Sequence, residues 1–180
     1  MTFLPPGKSQ NSLDKIFFIG MPGSGKSTLG REVAIEYGLM FLDLDEEIEK
    51  RENKTIKEIF EAEGEDYFRQ AEKRELEKIT LQHPKFLLST GGGTPCFYDN
   101  MTFINAHGLS VFIDVPLDHL IKRLRATDLA QRPKIGIEND LFQQLEITYR
   151  ERIDIYRKAK IKITGPEITV MDVVTALDLK

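Results

Sequence analysis

Ile16-Phe17-Phe18-Ile19-Gly20-Met21-Pro22-Gly23-Ser24-Gly25-Lys26-Ser27 is the stretch that decides how this chain folds. Its first four residues form a short apolar run closed by a glycine, the pattern of a strand buried on both faces. Gly20 to Ser27 fit G-x-x-x-x-G-K-[ST], and a helical pattern follows through Leu29, Val33 and Ala34 as far as Gly38. Strand, glycine-rich turn and helix in that order make a cradle for phosphate. The glycines let backbone N–H groups close around phosphate oxygens, and the helix N-terminus adds a favourable dipole. Gly23, Ser24, Gly25, Lys26, Ser27 and Thr28 are therefore the expected contacts of a nucleoside triphosphate. Lys26 is expected to reach the β- and γ-phosphates, and the Ser27 hydroxyl to take a place on Mg²⁺.

Outward from this loop the chain alternates strands with helices. Phe41–Leu44, Phe86–Leu88 and Ser110–Val115 read as further strands, and Ile161–Thr164 as a last, more exposed one. Thr55 with Glu58 forms a capping box that opens a helix through Ile56, Ile59 and Phe60. Another helix is expected from about Glu65 to Thr80, others over about 117–126 and 139–159, and a final one capped by Thr169. This alternation predicts a parallel sheet with right-handed crossovers and helices on both faces. One domain is expected over 15–180, after a flexible lead-in over 1–14.

Composition removes several functions. Of 180 residues, 25 are Lys or Arg and 29 Asp or Glu, and the net charge of −4 argues against nucleic-acid binding by bulk electrostatics. The lone Cys96 excludes an intrachain disulfide and a Cys-rich metal site, and His83, His107 and His119 share no metal spacing. No apolar run approaches the roughly 18 residues of a membrane span, and the first 14 residues lack the pattern of a signal peptide. A cytoplasmic protein is expected. Residues 43–77 are strongly acidic and read as a solvated helical face, with Glu46–Lys50 and Glu47–Arg51 spaced as favourable pairs.

A second binding surface must decide what the bound triphosphate is for. Asp43 and Asp45, two apart at the end of the second strand, can point the same way, towards the carboxyl edge where ligands of an open parallel sheet gather. One carboxylate there can help hold Mg²⁺, and the other can accept a proton from a hydroxyl. Two acids opening a helix, favoured by its dipole, is an equally good reading of the spacing. Gly91-Gly92-Gly93 follows a buried strand, so its backbone can approach a ligand closely. Arg69 and Arg152 lie on helical patterns, where an isolated arginine is more often solvated or ion-paired.

The string Gly20 to Gly30, Leu42-Asp43-Leu44-Asp45, Ile56 to Phe60, Gly64-Glu65, Phe68-Arg69, Gly91-Gly92-Gly93, Arg132-Pro133 and Arg152 with Tyr156-Arg157 together resemble the shikimate kinases, in family order from about residue 16 to 158. The resemblance implies a three-layer α/β P-loop NTPase fold, with a five-stranded parallel sheet ordered 2-3-1-4-5, substrate-binding helices at about 45–80 and a mobile lid at about 126–139. It implies ATP- and Mg²⁺-dependent phosphorylation of the shikimate 3-hydroxyl by a monomer. Asp45 would contact the shikimate hydroxyls and serve as base, with Asp43 near Mg²⁺. Arg69 and Arg152 would hold the carboxylate, a task suited to guanidinium forks, beside Gly91, Gly92 and Gly93. Arg132 would swing over the phosphates from the lid, and Arg125 would pack near adenine.

The lid stretch is polar, contains Pro133 and Gly136, and is about as long as plain loops become, which fits a segment that closes to exclude water. Two positions depart from the family pattern: Lys134-Ile135 stand where many members have two leucines, and Thr164-Gly165-Pro166-Glu167 lacks an arginine often found near the adenine. Phosphorylation of another small acceptor, such as gluconate or a nucleoside monophosphate, stays open at this point. So does a non-catalytic nucleotide-binding regulator.

Overall fold

The computed structural model describes residues 13–128 and 138–179. Arg132, Lys134-Ile135 and most of the 126–139 segment lie outside the described residues, as does nearly all of the 1–14 lead-in. Five parallel strands, β1 (Lys15–Ile19), β2 (Met40–Asp43), β3 (Phe86–Ser89), β4 (Leu109–Asp114) and β5 (Ile161–Thr164), form one sheet in the order β2-β3-β1-β4-β5. The seven helices described are α1 (Lys26–Tyr37), α2 (Leu44–Glu52), α3 (Ile56–Gln82), α4 (Asn100–His107), α5 (Leu117–Asp128), α6 (Glu138–Tyr156) and α7 (Val170–Asp178).

β1 is central, pairing Phe17 with Leu88 of β3 on one side and with Ser110 of β4 on the other. Ile16, Phe17, Phe18 and Ile19 are all fully buried, as their unbroken apolar run requires. β5 is an edge strand and alternates buried with exposed residues. The helices pack on the sheet around a continuous core that runs from β1 through Leu76, Ile104 and Tyr156 to Val173. α1 comes closest at Gly30, where a Cβ would stand 2.8 Å from the Phe41 ring and 2.9 Å from Leu87.

The expected capping box of Thr55 with Glu58 forms and opens α3; Thr169 caps α7 as expected, and Asp172 completes a second box there that the sequence reading did not name. The two helices expected around residue 64 are one run broken at Gly64, whose φ of 81° and ψ of 177° are accessible to glycine and few other residues. The sequence reading needs three corrections. Leu44 belongs to α2 rather than to the second strand, because Asp43 caps that helix. The helix expected over about 139–159 ends at Tyr156. α4 was not expected at all: it has eight residues, and its N-cap Asp99 makes no side-chain capping bond.

The acidic run is also not simply a solvated face. Glu72 and Glu75 within it are buried, and Glu75 is paired with Arg51 at 2.6 Å and Lys78 at 3.1 Å, tying α2 to α3. Arg51 thus bonds Glu75 instead of Glu47. Glu47 bonds Lys50 and Glu46 bonds Arg31.

Candidate functional site

The carboxyl ends of β1, β2 and β3 and the N-terminus of α1 meet at the phosphate loop. Gly25 caps α1 with φ 89°, a left-handed conformation that aims the first helical N–H groups into the loop. Lys26 is buried and folds back over the loop, its Nζ donating to Gly20 O at 3.0 Å and Met21 O at 2.9 Å. Burial lowers its pKa to about 8, against the attraction of Asp45 and Asp43.

At the second residue of the helix, Ser27 Oγ donates to Asp43 Oδ2 at 2.5 Å and lies 3.0 Å from Ser89 Oγ. Asp43 does two things at once: its other oxygen accepts from Asp45 N at 3.1 Å and caps α2. The two readings of the acid pair therefore coexist. Asp45 reaches the site from the first helical turn, not through strand alternation.

Asp45 Oδ1 is the one buried side-chain nitrogen or oxygen among the described residues that has no hydrogen-bond partner. Burial, then the neighbouring charges of Asp43 and Glu72, push its pKa up to about 6. A carboxylate with a free lone pair, poised to titrate near neutrality, is equipped to take a proton from a hydroxyl.

Gly91, Gly92 and Gly93 bring the remaining groups together, because each packs a different polar group where a Cβ would be. A Cβ on Gly91 would stand 3.0 Å from Asp45 Oδ1 and 2.7 Å from Glu72 Oε1. On Gly92 it would be 3.3 Å from Arg152 Nη1, and on Gly93 2.5 Å from Arg69 Nη1. Arg69 is buried rather than solvated. Its guanidinium donates to Glu72 at 2.5 Å and, through Nε and Nη2, to Glu65 at 3.1 and 3.0 Å, and it lies 4.4 Å from the Phe97 ring centroid. Two guanidinium groups, a carboxylate and the glycine turn thus line one recess beside the phosphate loop.

On the opposite side of the loop lies a cleft of about 810 Å³, lined by Gly23, Ser24, Gly25 and Thr28 and closed by Ile168 to Met171. Arg123 is the arginine of α5 that lines it, donating to Ser24 O at 3.2 Å and Pro166 O at 2.9 Å. Arg125 is half-buried two residues on.

The sequence reading missed Glu72, Ser89 and Arg123. Glu72 had a usable signal, three residues after Arg69 on the same helix face. Ser89, at the end of a buried strand, and Arg123 carry none that is local. Among the described residues there is no cluster of three His, Cys, Asp or Glu able to cage a metal, and no helix long and apolar enough to cross a membrane.

Comparison with known proteins identifies the family and the fold. The sequence model of the shikimate kinase family matches residues 22–177. A shikimate kinase of Clostridium botulinum (strain Loch Maree / Type A3) is 44% identical over 149 residues, covering 82% of this chain and 85% of that protein. The crystal structure of a shikimate kinase from Bacteroides thetaiotaomicron superposes with a TM-score of 0.79 at 33% identity, over 92% of this chain and 94% of that one. The shikimate kinase of Acinetobacter baumannii, solved in complex with shikimate, gives the same TM-score at 30% identity, over 93% and 92% of the two chains. A gluconokinase from Sinorhizobium meliloti 1021 shares the architecture alone, at 14% identity and a TM-score of 0.56. The chain belongs to the shikimate kinase family.

Proposed function

We propose that this chain transfers the γ-phosphoryl group of ATP to the 3-hydroxyl of shikimate, giving ADP and shikimate 3-phosphate, and that the recess at Gly91–Gly93 receives the acceptor. The observation that carries this reading is the convergence of Asp45, Arg152 and Arg69 on three consecutive glycines. Such a recess suits an acceptor with a carboxylate at one end and a reacting hydroxyl at the other.

Arg69 and Arg152 hold the carboxylate through charge-assisted bonds. That orients the ring so that its hydroxyl faces the unpartnered Asp45 Oδ1, which accepts the proton as the oxygen attacks phosphorus. Lys26 turns from the loop carbonyls to the phosphates, where its positive charge offsets negative charge building on the transferring group. Arg132 and Arg125 carry over from the family resemblance, as the lid arginine on the phosphates and an arginine near the base. The cleft beside Arg123 has the size and position for the nucleoside.

The oxygen donors at the loop fit a hard cation. Ser27 and Asp43, 2.5 Å apart and without a protein cage, suit Mg²⁺, which keeps several waters and shares its ligands with phosphates. When bound, it would neutralise charge on the β- and γ-phosphate oxygens.

An ADP-release assay with shikimate, gluconate and a nucleoside monophosphate as separate acceptors tests the reading. Turnover with shikimate alone is expected. Turnover with either of the others and none with shikimate would overturn the assignment.

A further inference from the structure

Tyr156 closes α6, one helical turn beyond Arg152. Its ring is fully buried and packs against Phe112, with ring centroids 5.1 Å apart. Its hydroxyl does not face the core. It donates to Gly92 O at 2.5 Å and stands 3.9 Å from Met21 Sδ in the phosphate loop, with the positive charge of Arg152 close by. Burial raises its pKa far above the working range, so the hydroxyl keeps its proton and has no acid–base part in the reaction. Geometry is what remains for it to supply.

That geometry is specific. Arg152 Nη1 lies against Gly92 on the side that also meets Pro22 of the phosphate loop: a Cβ there would stand 3.3 Å from that nitrogen and 2.7 Å from the proline Cδ. An arginine side chain has many rotamers, and a glycine turn has no side chain of its own to fix it. A hydroxyl bonded to the Gly92 carbonyl fixes the turn against which the Arg152 guanidinium packs, and so the position of each relative to the other.

We propose that Tyr156 is a positioning residue for the acceptor carboxylate, holding the Arg152 guanidinium and the Gly92 backbone at the spacing that receives it. The proposal rests on the reading of Arg152 as a carboxylate contact. Tyr156→Phe keeps the ring in the core and removes the bond to Gly92 O, freeing the turn against which Arg152 packs. The loss falls on binding of the carboxylate. KM for shikimate is expected to rise about tenfold, while KM for ATP and kcat stay within about twofold.

A purely structural role gives a different pattern: lower thermal stability, with both KM values unchanged or moving together. Either result overturns the proposal. The shikimate analogue with its carboxylate reduced to a primary alcohol supplies the second arm. Its KM is expected to be equal in the wild type and Tyr156→Phe, and a tenfold rise there as well would sink the idea. Arg152→Ala separates the two levels of inference. If it leaves KM for shikimate unchanged, the reading of Arg152 fails; if it raises KM and Tyr156→Phe does not, only the role of Tyr156 fails. Should Tyr156→Phe not fold, 3-fluorotyrosine at position 156 keeps ring and hydroxyl. Its fluorine resonance is expected to shift on saturation with shikimate and not with the alcohol; equal response to both, or to neither, refutes the proposal.

Discussion

Replacing Asp45 by asparagine should make the protein more stable at neutral pH while abolishing turnover. The residue is half-buried, its Oδ1 is buried without a hydrogen-bond partner, and Asp43, Glu72 and Glu49 all repel its charge. Its pKa rises from 3.8 to about 6. A raised carboxyl pKa has a definite sign: between those two values the folded protein holds a proton that the unfolded chain has released, so stability falls as pH rises through the window. Above about pH 6 the full cost is present, roughly two pKa units or about 3 kcal/mol. An amide of the same shape carries no charge and avoids that cost. The gain has a counterweight, since Lys26 loses an attractive neighbour, so about 3 kcal/mol is the ceiling. For a domain of this size each kcal/mol moves Tm by about 2–4 °C, so a rise of roughly 5–10 °C is expected at pH 7.5. At pH 4.5, where the wild-type group is already protonated in the folded state, the gain should shrink to about a third. Thermal unfolding of the nucleotide-free protein in EDTA at both pH values makes the measurement. A variant less stable than wild type at pH 7.5, or a gain of the same size at both pH values, would refute the account of Asp45.

Glu65 holds the Nε and Nη2 edge of Arg69, an edge that a substrate carboxylate can also use. Glu65→Gln should therefore lower KM for shikimate several-fold; a rise would mean that Glu65 orients Arg69 instead. Lys26 has its pKa lowered to about 8 by burial, and nucleotide phosphates favour its charged form, so ATP binding at pH 8.5 should take up protons. Calorimetry in buffers of different ionisation enthalpy reads the number, and zero uptake in that pH range would contradict the assignment. Gly93 has an ordinary φ of −82°, so Gly93→Ala adds no backbone strain but drives a methyl group into Arg69. KM for shikimate should rise at least tenfold with KM for ATP unchanged, measured by steady-state kinetics.

What the sequence made legible was local or periodic. The buried strand, the phosphate loop and α1 are contiguous, so one window of residues contains the reason for each of them. The Thr55–Glu58 capping box spans four residues, and it forms, as does the cap at Thr169. α4 escaped because its apolar positions Met101 and Ile104 make a single helical repeat, too short to show a period, and because Asp99 opens it in a left-handed conformation without a side-chain cap. Arg69 was named as a site residue, but its burial escaped for a different reason. An arginine on an acidic helix is usually solvated, and what buries this one is Gly93, Phe97 and Glu72, two of them from a loop more than twenty residues away. Spacing along a helix can suggest Glu72, but nothing in the chain says that Thr94 will complete its bonding.

The glycine triplet explains why family order carried further than any single motif. By themselves, three glycines are as consistent with a loose loop as with a binding surface. Their meaning lies in what stands against the three missing Cβ positions: Glu72 of α3 and Asp45 of α2 at Gly91, Pro22 of the phosphate loop and Arg152 of α6 at Gly92, and Arg69 of α3 at Gly93. No local pattern encodes that meeting, because parallel strand order makes it: β3 lies between β1 and β2, so the turn leaving it emerges between the phosphate loop and the Asp43–Asp45 corner. Once β2-β3-β1 is fixed, Gly91 has Asp45 as a neighbour. A side chain on any of the three glycines must displace a charged group or the phosphate loop itself, and that requirement sets this turn apart from a plain connection.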